Sequence, residues 1–196
     1  MCIRDSPYTD LTQTFYMSQE SILHFLCYYN NFDFAKIFFN CAELKGVHIN
    51  INAKSSSKNT PLIDFCLGPN ELSLDFLKLL ISKGADINHL NDFGCTPLMV
   101  LFSSFRNKQS RNQIFEYMLN NGADPNIGEG NSSYLLELLC NRKDYSAIDI
   151  LIKSDTLSEK SILHSRSLFN KNVEIIKILG GWELSLIHIS EPTRPY

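Results

Sequence analysis

The sequence has no apolar run long enough to cross a bilayer. Its longest, such as Phe76–Ile81, are short and broken by Lys78. It has no block of lysine and arginine. The 18 basic side chains stand against 21 acidic ones, a formal net charge of −3, which argues against a surface for nucleic acid or anionic lipid. Cysteine is scarce, 6 in 196 residues, and no two form a Cys-x-x-Cys pair. That excludes a disulfide-built scaffold and disfavours a zinc or redox motif. Gly128-Glu129-Gly130 lacks the lysine of a phosphate loop and reads as a turn tip. No Ser/His/Asp or Cys/His arrangement singles out a nucleophile. What remains is a chain with 44% hydrophobic, 11% aromatic and 20% charged residues, enough apolar surface for a packed core. Cysteines without partners suit a reducing, cytoplasmic compartment.

The two ends read unlike the middle. The start, Met1-Cys2-Ile3-Arg4-Asp5-Ser6, back-translates as ATG TGT ATA AGA GAC AG. The end, from Leu184-Ser185-Leu186-Ile187-His188-Ile189, back-translates as CTG TCT CTT ATA CAC ATC T. The two strings are reverse complements over nearly their whole length, and together they resemble a translated transposase adapter of the kind used in sequencing libraries. On that reading residues 1–6 and 184–196 are artefact and the natural segment is Pro7 to Glu183, a piece of a longer protein. Residues 7–17 would then be a tail or the end of an upstream unit.

The middle repeats itself. Thr60-Pro61-Leu62, Phe76–Ile81 and Gly84-Ala85-Asp86-Ile87-Asn88 match Thr96-Pro97-Leu98, Ile114–Leu119 and Gly122-Ala123-Asp124-Pro125-Asn126. Weaker copies begin at Ser21-Ile22-Leu23-His24, Ser133-Tyr134-Leu135 and Ser161-Ile162-Leu163-His164. Thr60 and Thr96 are expected to cap helices that start with Pro61 and Pro97, and Ser21, Ser133 and Ser161 to cap likewise. Leu98–Phe102 is apolar almost all round, as suits a short helix between neighbours. Second helices such as Phe76–Ile81 carry apolar residues at i, i+3 and i+4. Gly84 and Gly122 sit where a left-handed residue ends a helix, and Asp86, Asn88, Asp124 and Asn126 open turns. The anchors at 21, 60, 96, 133 and 161 are spaced by 39, 36, 37 and 28 residues. The extra residues are assigned to loops at 68–73, 107–112 and 42–47.

These paired motifs resemble the ankyrin repeat, whose units of about 33 residues each hold a turn and two antiparallel helices marked by Thr-Pro-Leu-His. The resemblance implies an all-α solenoid over residues 18–183, with units near 18–54, 55–90, 91–127, 128–157 and 158–183. His24 and His164 take the motif's histidine position, where the ring ties neighbouring units; Ile63, Met99 and Leu136 replace it elsewhere. Cys27 and Cys66, each six residues past its anchor, take a small-residue packing position.

The resemblance also implies a non-catalytic scaffold that binds another protein. No cofactor, metal ion, nucleic acid, membrane or small-molecule substrate is expected. An alternative is the targeting region of a larger enzyme, such as a kinase or a ubiquitin-ligase subunit. The family's variable contact positions fall here on Lys54, Ser56, Ser57 and Asn59 at one tip and on Leu90, Asp92, Phe93 and Cys95 at the next. Glu129, Gly130 and Ser132 form a third tip. Leu67, Ser103, Ser104 and Cys140 line the helical floor. Phe93 is the anchor candidate, an aromatic where a loop is normally polar; the other reading folds it back onto the neighbouring tip.

Overall fold

The computed structural model describes residues 21–103, 107–127 and 134–168, together with 175, 177 and 179. The two terminal stretches read as adapter, the tail at 7–17, the expected cap Ser133 and the contact positions Ser104, Glu129, Gly130 and Ser132 lie outside those residues. Nine helices and no strand occur among the described residues. They are α1 (Ile22–Tyr28), α2 (Phe32–Lys45), α3 (Pro61–Leu67), α4 (Leu74–Ser82), α5 (Pro97–Leu101), α6 (Lys108–Asn120), α7 (Tyr134–Arg142), α8 (Tyr145–Lys153) and α9 (Glu159–Leu168). Successive pairs form units one to four, and α9 opens the fifth, in which Ile175, Lys177 and Leu179 are also helical.

The helix ends follow from side-chain and backbone chemistry. Thr60 Oγ1 accepts from the Ile63 amide at 3.5 Å and Thr96 Oγ1 from Met99 at 3.4 Å, with Pro61 and Pro97 at the first helical positions. Gly84 and Gly122 adopt φ of +87° and +88°, a region open to glycine. Ala85 then donates to the Leu80 carbonyl at 3.0 Å, and Ala123 to Met118 at 3.0 Å, so both helices close on the same left-handed turn.

Ser21 starts α1 in a capping box: its side chain takes the His24 backbone amide, while the His24 ring accepts from the Ser21 amide at 3.0 Å. Three expectations shift. α9 starts a turn before Ser161, because Ser158 Oγ accepts from the Ser161 amide at 3.2 Å and caps it instead. Residues 42–45 are not loop: strong helix formers carry α2 to Lys45, and Gly46 at φ +62° stops it. Residues 108–112 are helix as well, since the Asn107 side chain accepts from the Gln109 amide at 2.9 Å and starts α6 early. Only 68–73 stays a connector before Ser73 caps α4.

The first helices pack in sequence, α1 on α3, α3 on α5, α5 on α7 and α7 on α9, while α4, α6 and α8 form a second layer. Leu62, Phe65, Phe76, Leu101, Phe102 and Phe115 are fully buried between the layers. Phe65 meets Phe76 edge-on at 5.6 Å, and Phe102 meets Phe115 at 4.9 Å and 90°, the geometry that aromatic quadrupoles favour. Gly68 lets α1 come close: a Cβ there would stand 1.8 Å from the Tyr28 carbonyl oxygen. Cys27 and Cys66 are completely buried, as their packing position requires.

Asparagines tie the units along the second layer. Asn52 Nδ2 donates to the Gly84 carbonyl at 2.9 Å, and its Oδ1 accepts from the Asp86 amide at 2.8 Å. Asn88 does the same to Gly122 (2.9 Å) and Asp124 (2.8 Å), and Asn126 to Thr156 (2.7 Å) and Ser158 (2.9 Å). Each amide fills a donor–acceptor pair on the next unit's backbone, so the rotation between units repeats.

Candidate functional site

The two described tips brace each other. Asn91 is buried, and its Oδ1 accepts from the amides of Phe93 (3.0 Å) and Cys95 (2.9 Å). Its Nδ2 donates to Asn59 Oδ1 at 3.0 Å, while Asn59 Nδ2 donates to Asp64 at 3.0 Å. The Asp92 amide donates to the Ser57 carbonyl at 3.1 Å, and Lys58 pairs with Asp92 at 2.5 Å. This network uses the polar groups of the tip and pushes Phe93 outward. It stands 75% exposed rather than folded back onto its neighbour.

Beneath Phe93 lies an open groove of about 320 Å³. Leu67 from α3, Met99 and Val100 from α5 and Leu138 from α7 give it its apolar lining, and Ser103 lines it as well. Asn59, Asn91, Phe93 and Cys95 line it from the tips, and the exposed Arg142 lines it from the end of α7. Five residues expected at a contact surface therefore meet around one groove: Asn59, Leu67, Phe93, Cys95 and Ser103. Lys54, Ser56 and Leu90 are exposed on the tips but outside the groove, and Ser57 and Asp92 are joined to each other across the tips.

Cys140 is a correction. It is 1% exposed and sits in the core, not on the floor. On α7 the groove-facing residues are Leu138 and Arg142, spaced i, i+4 on the helix face beside it. Asn59 reaches the groove, yet its amide is committed to Asn91 and Asp64 and serves the tip. Arg142, Leu138, Met99, Val100 and Asn91 are groove residues that the repeat pattern alone did not single out. The available signal was the i, i+4 pair Leu138/Arg142, an apolar residue and a cation on one face. Arg142 is exposed and forms no ion pair among the described residues.

The groove holds little reactive chemistry. Partial burial raises the Cys95 thiol above its ordinary range, so it is a poor nucleophile. Burial, then the charge of Glu137, pushes Cys140 to about 12. Burial also raises Cys27 well above the usual thiol value, with Asp64 and Cys66 adding to it. Among the described residues no cluster of His, Cys, Asp and Glu could hold a metal ion, and no helix is long and apolar enough to cross a membrane.

A stack of helix pairs joined by turn tips, with a groove along the first helices, defines an α-solenoid of the binding class. A family model described as ankyrin repeats, in 3 copies, matches residues 23–129. An ankyrin repeat protein of Acanthamoeba polyphaga mimivirus is 28% identical over 117 residues, covering 59% of this chain and 67% of that protein. The chain belongs to the ankyrin repeat family, whose stacked units serve as protein–protein interaction modules.

Proposed function

We propose that this chain is a non-catalytic scaffold that binds a segment of another protein in the groove beneath Phe93. The observation that carries this reading is the pairing of an exposed aromatic with an apolar floor on rigidly braced tips. Leu67, Val100 and Leu138 offer an apolar seat for a side chain, and the exposed ring of Phe93 borders it. Arg142, which lines the groove and forms no ion pair among the described residues, fits a carboxylate carried beside that side chain. The partner segment is therefore apolar with an adjacent Asp or Glu. Free cysteines throughout the stack suit a reducing, cytoplasmic setting.

Peptide display against the full chain tests this. Selected peptides are expected to share an apolar residue next to Asp or Glu. Their binding should weaken about tenfold or more in Phe93→Ala, the scale of a hot-spot truncation, and lose its acidic preference in Arg142→Gln. Binding that ignores both changes but fails in Lys54→Glu would move the surface to the tips and overturn the assignment.

A further inference from the structure

The groove is not lined as an aliphatic slot would be. Met99 brings a thioether to it, Phe93 an aromatic ring and Arg142 a planar guanidinium. Each of the three gains from a π-system something that an aliphatic chain of equal area cannot return: sulfur against a ring edge, ring against ring, and cation against a ring face. Leu67, Val100 and Leu138, by contrast, would serve any apolar side chain alike. The combination belongs to the third unit alone. Counted from the anchors, the place of Phe93 holds Ser57 in the second unit and Gly130 in the fourth, and the place of Met99 holds Ile63 and Leu136. No other unit carries an aromatic at the first place or a methionine at the second.

Both groups are held before anything binds. Asn91 Oδ1 accepts from the Phe93 amide at 3.0 Å, which fixes the backbone that carries the ring. Met99 is buried among the first helices, and Thr96 Oγ1 accepts from its amide at 3.4 Å. A seat whose lining is already ordered loses little entropy on binding.

Arg142 connects a ring to a carboxylate. A guanidinium can lay its face on an aromatic ring and offer its edge to an acid at the same time. This stack already builds that combination in its interior, where Arg111 lies 4.6 Å from the Phe102 ring and pairs with Asp144. An aromatic residue beside an Asp or Glu would give Arg142 the same two partners. We propose that the groove selects an aromatic side chain with an adjacent acidic residue, and that Met99 is the specificity-determining residue for the ring. This rests on the reading of the groove as the partner-binding site.

Methyl NMR of the full chain tests this, with three capped dipeptides as probes: acetyl-Phe-Glu-amide, acetyl-cyclohexylalanyl-Glu-amide and acetyl-Leu-Glu-amide. Cyclohexylalanine keeps the size of phenylalanine and lacks its π-system. The phenylalanine dipeptide should bind about fivefold or more tighter than the other two, the scale of two or three ring contacts. Its ring current should also shift the Met99 methyl signal. Met99→Leu, a volume-conserving swap, should shrink the preference and leave the cyclohexylalanine dipeptide within about twofold. Phe93→Leu, which keeps apolar bulk at an exposed position, should shrink it as well. Equal binding of the phenylalanine and cyclohexylalanine dipeptides, seen at the methyls of Leu67, Val100 and Leu138, overturns the aromatic selectivity while the groove stands as a site. A preference that survives both substitutions overturns the role given to Met99. No shift at those methyls with any of the three overturns the groove reading itself and this proposal with it.

Discussion

At the scale of single residues, His24 and Arg111 carry more than their neighbours. The Ser21 amide donates to His24 Nδ1 at 3.0 Å, which leaves the ring proton on Nε2, 3.0 Å from the Asn59 carbonyl. One imidazole thus fixes the start of α1 and binds it to the next tip. His24→Ala strands both groups and should cost about 2 kcal/mol in urea unfolding; a loss within error would show that the tie is idle. Arg111 forms a buried ion pair with Asp144, stacks 4.6 Å from the Phe102 ring and touches Asn112. Removing one partner of a buried pair leaves the other charged and dry, so Arg111→Ala should cost about 3 kcal/mol. The histidine was legible because the motif assigns it a position. Arg111 was not, because its partner is 33 residues away and meets it only when α6 begins a turn early. The thiols give a further check. Raised values leave Cys27, Cys95 and Cys140 with little thiolate near pH 8, so exposed Cys41 should alkylate well before all three by peptide mass spectrometry.

At the scale of elements, the sequence read the helix pairs and their caps well and the inserts poorly. Thr60, Thr96, Gly84 and Gly122 act locally, through bonds to residues three to five away, so their roles can be read in one dimension. Whether an insert becomes loop or helix depends on a cap such as Asn107 and on a neighbour to lie against, and no periodicity encodes that. The asparagines show the same limit. Asn88 was legible as a turn residue, and its own amide does bond Asp86 at 3.0 Å. Its side chain, however, crosses to the next unit and makes two bonds there. Asn88→Ala should therefore lower stability by about 2 kcal/mol, about one for each inter-unit bond. Asn88→Asp keeps the acceptor for the Asp124 amide and loses the donor to Gly122, so it should cost about half. Equal effects from both variants would show that the turn, not the bridge, is what matters. The groove was half legible for a related reason: the tips and first helices carry recognisable positions, whereas Leu138 and Arg142 reach it only through the stacking of α7.

At the scale of the whole molecule, the helices of each unit pack chiefly on those of the adjacent units among the described residues, so damage should stay local. Gly68 tests this. A side chain there would collide with the Tyr28 carbonyl, a backbone atom that cannot swing aside. Gly68→Ala should push α1 and α2 away from the second unit. The groove is built from α3, α5, α7 and the tip at Asn91–Cys95; of its bracing residues Asn59, bound by His24, and Asp64 on α3 stand at that junction, while Asn91 lies one unit on. The Phe102–Phe115 contact and the Arg111–Asp144 pair lie further along. Amide exchange in α1 and α2 should therefore rise steeply in Gly68→Ala, while α5 to α8 keep their protection and a groove-binding peptide keeps most of its affinity. The far end should loosen independently, because α9 exposes Leu163 at 62% and Leu168 at 53%; α9 amides are expected to exchange faster than those of α5 and α6 even in the parent chain. Equal loss of protection from α1 to α9 in Gly68→Ala would mean that the stack unfolds as one cooperative block. The first unit and the groove would then be energetically coupled, and loosening one would weaken the other.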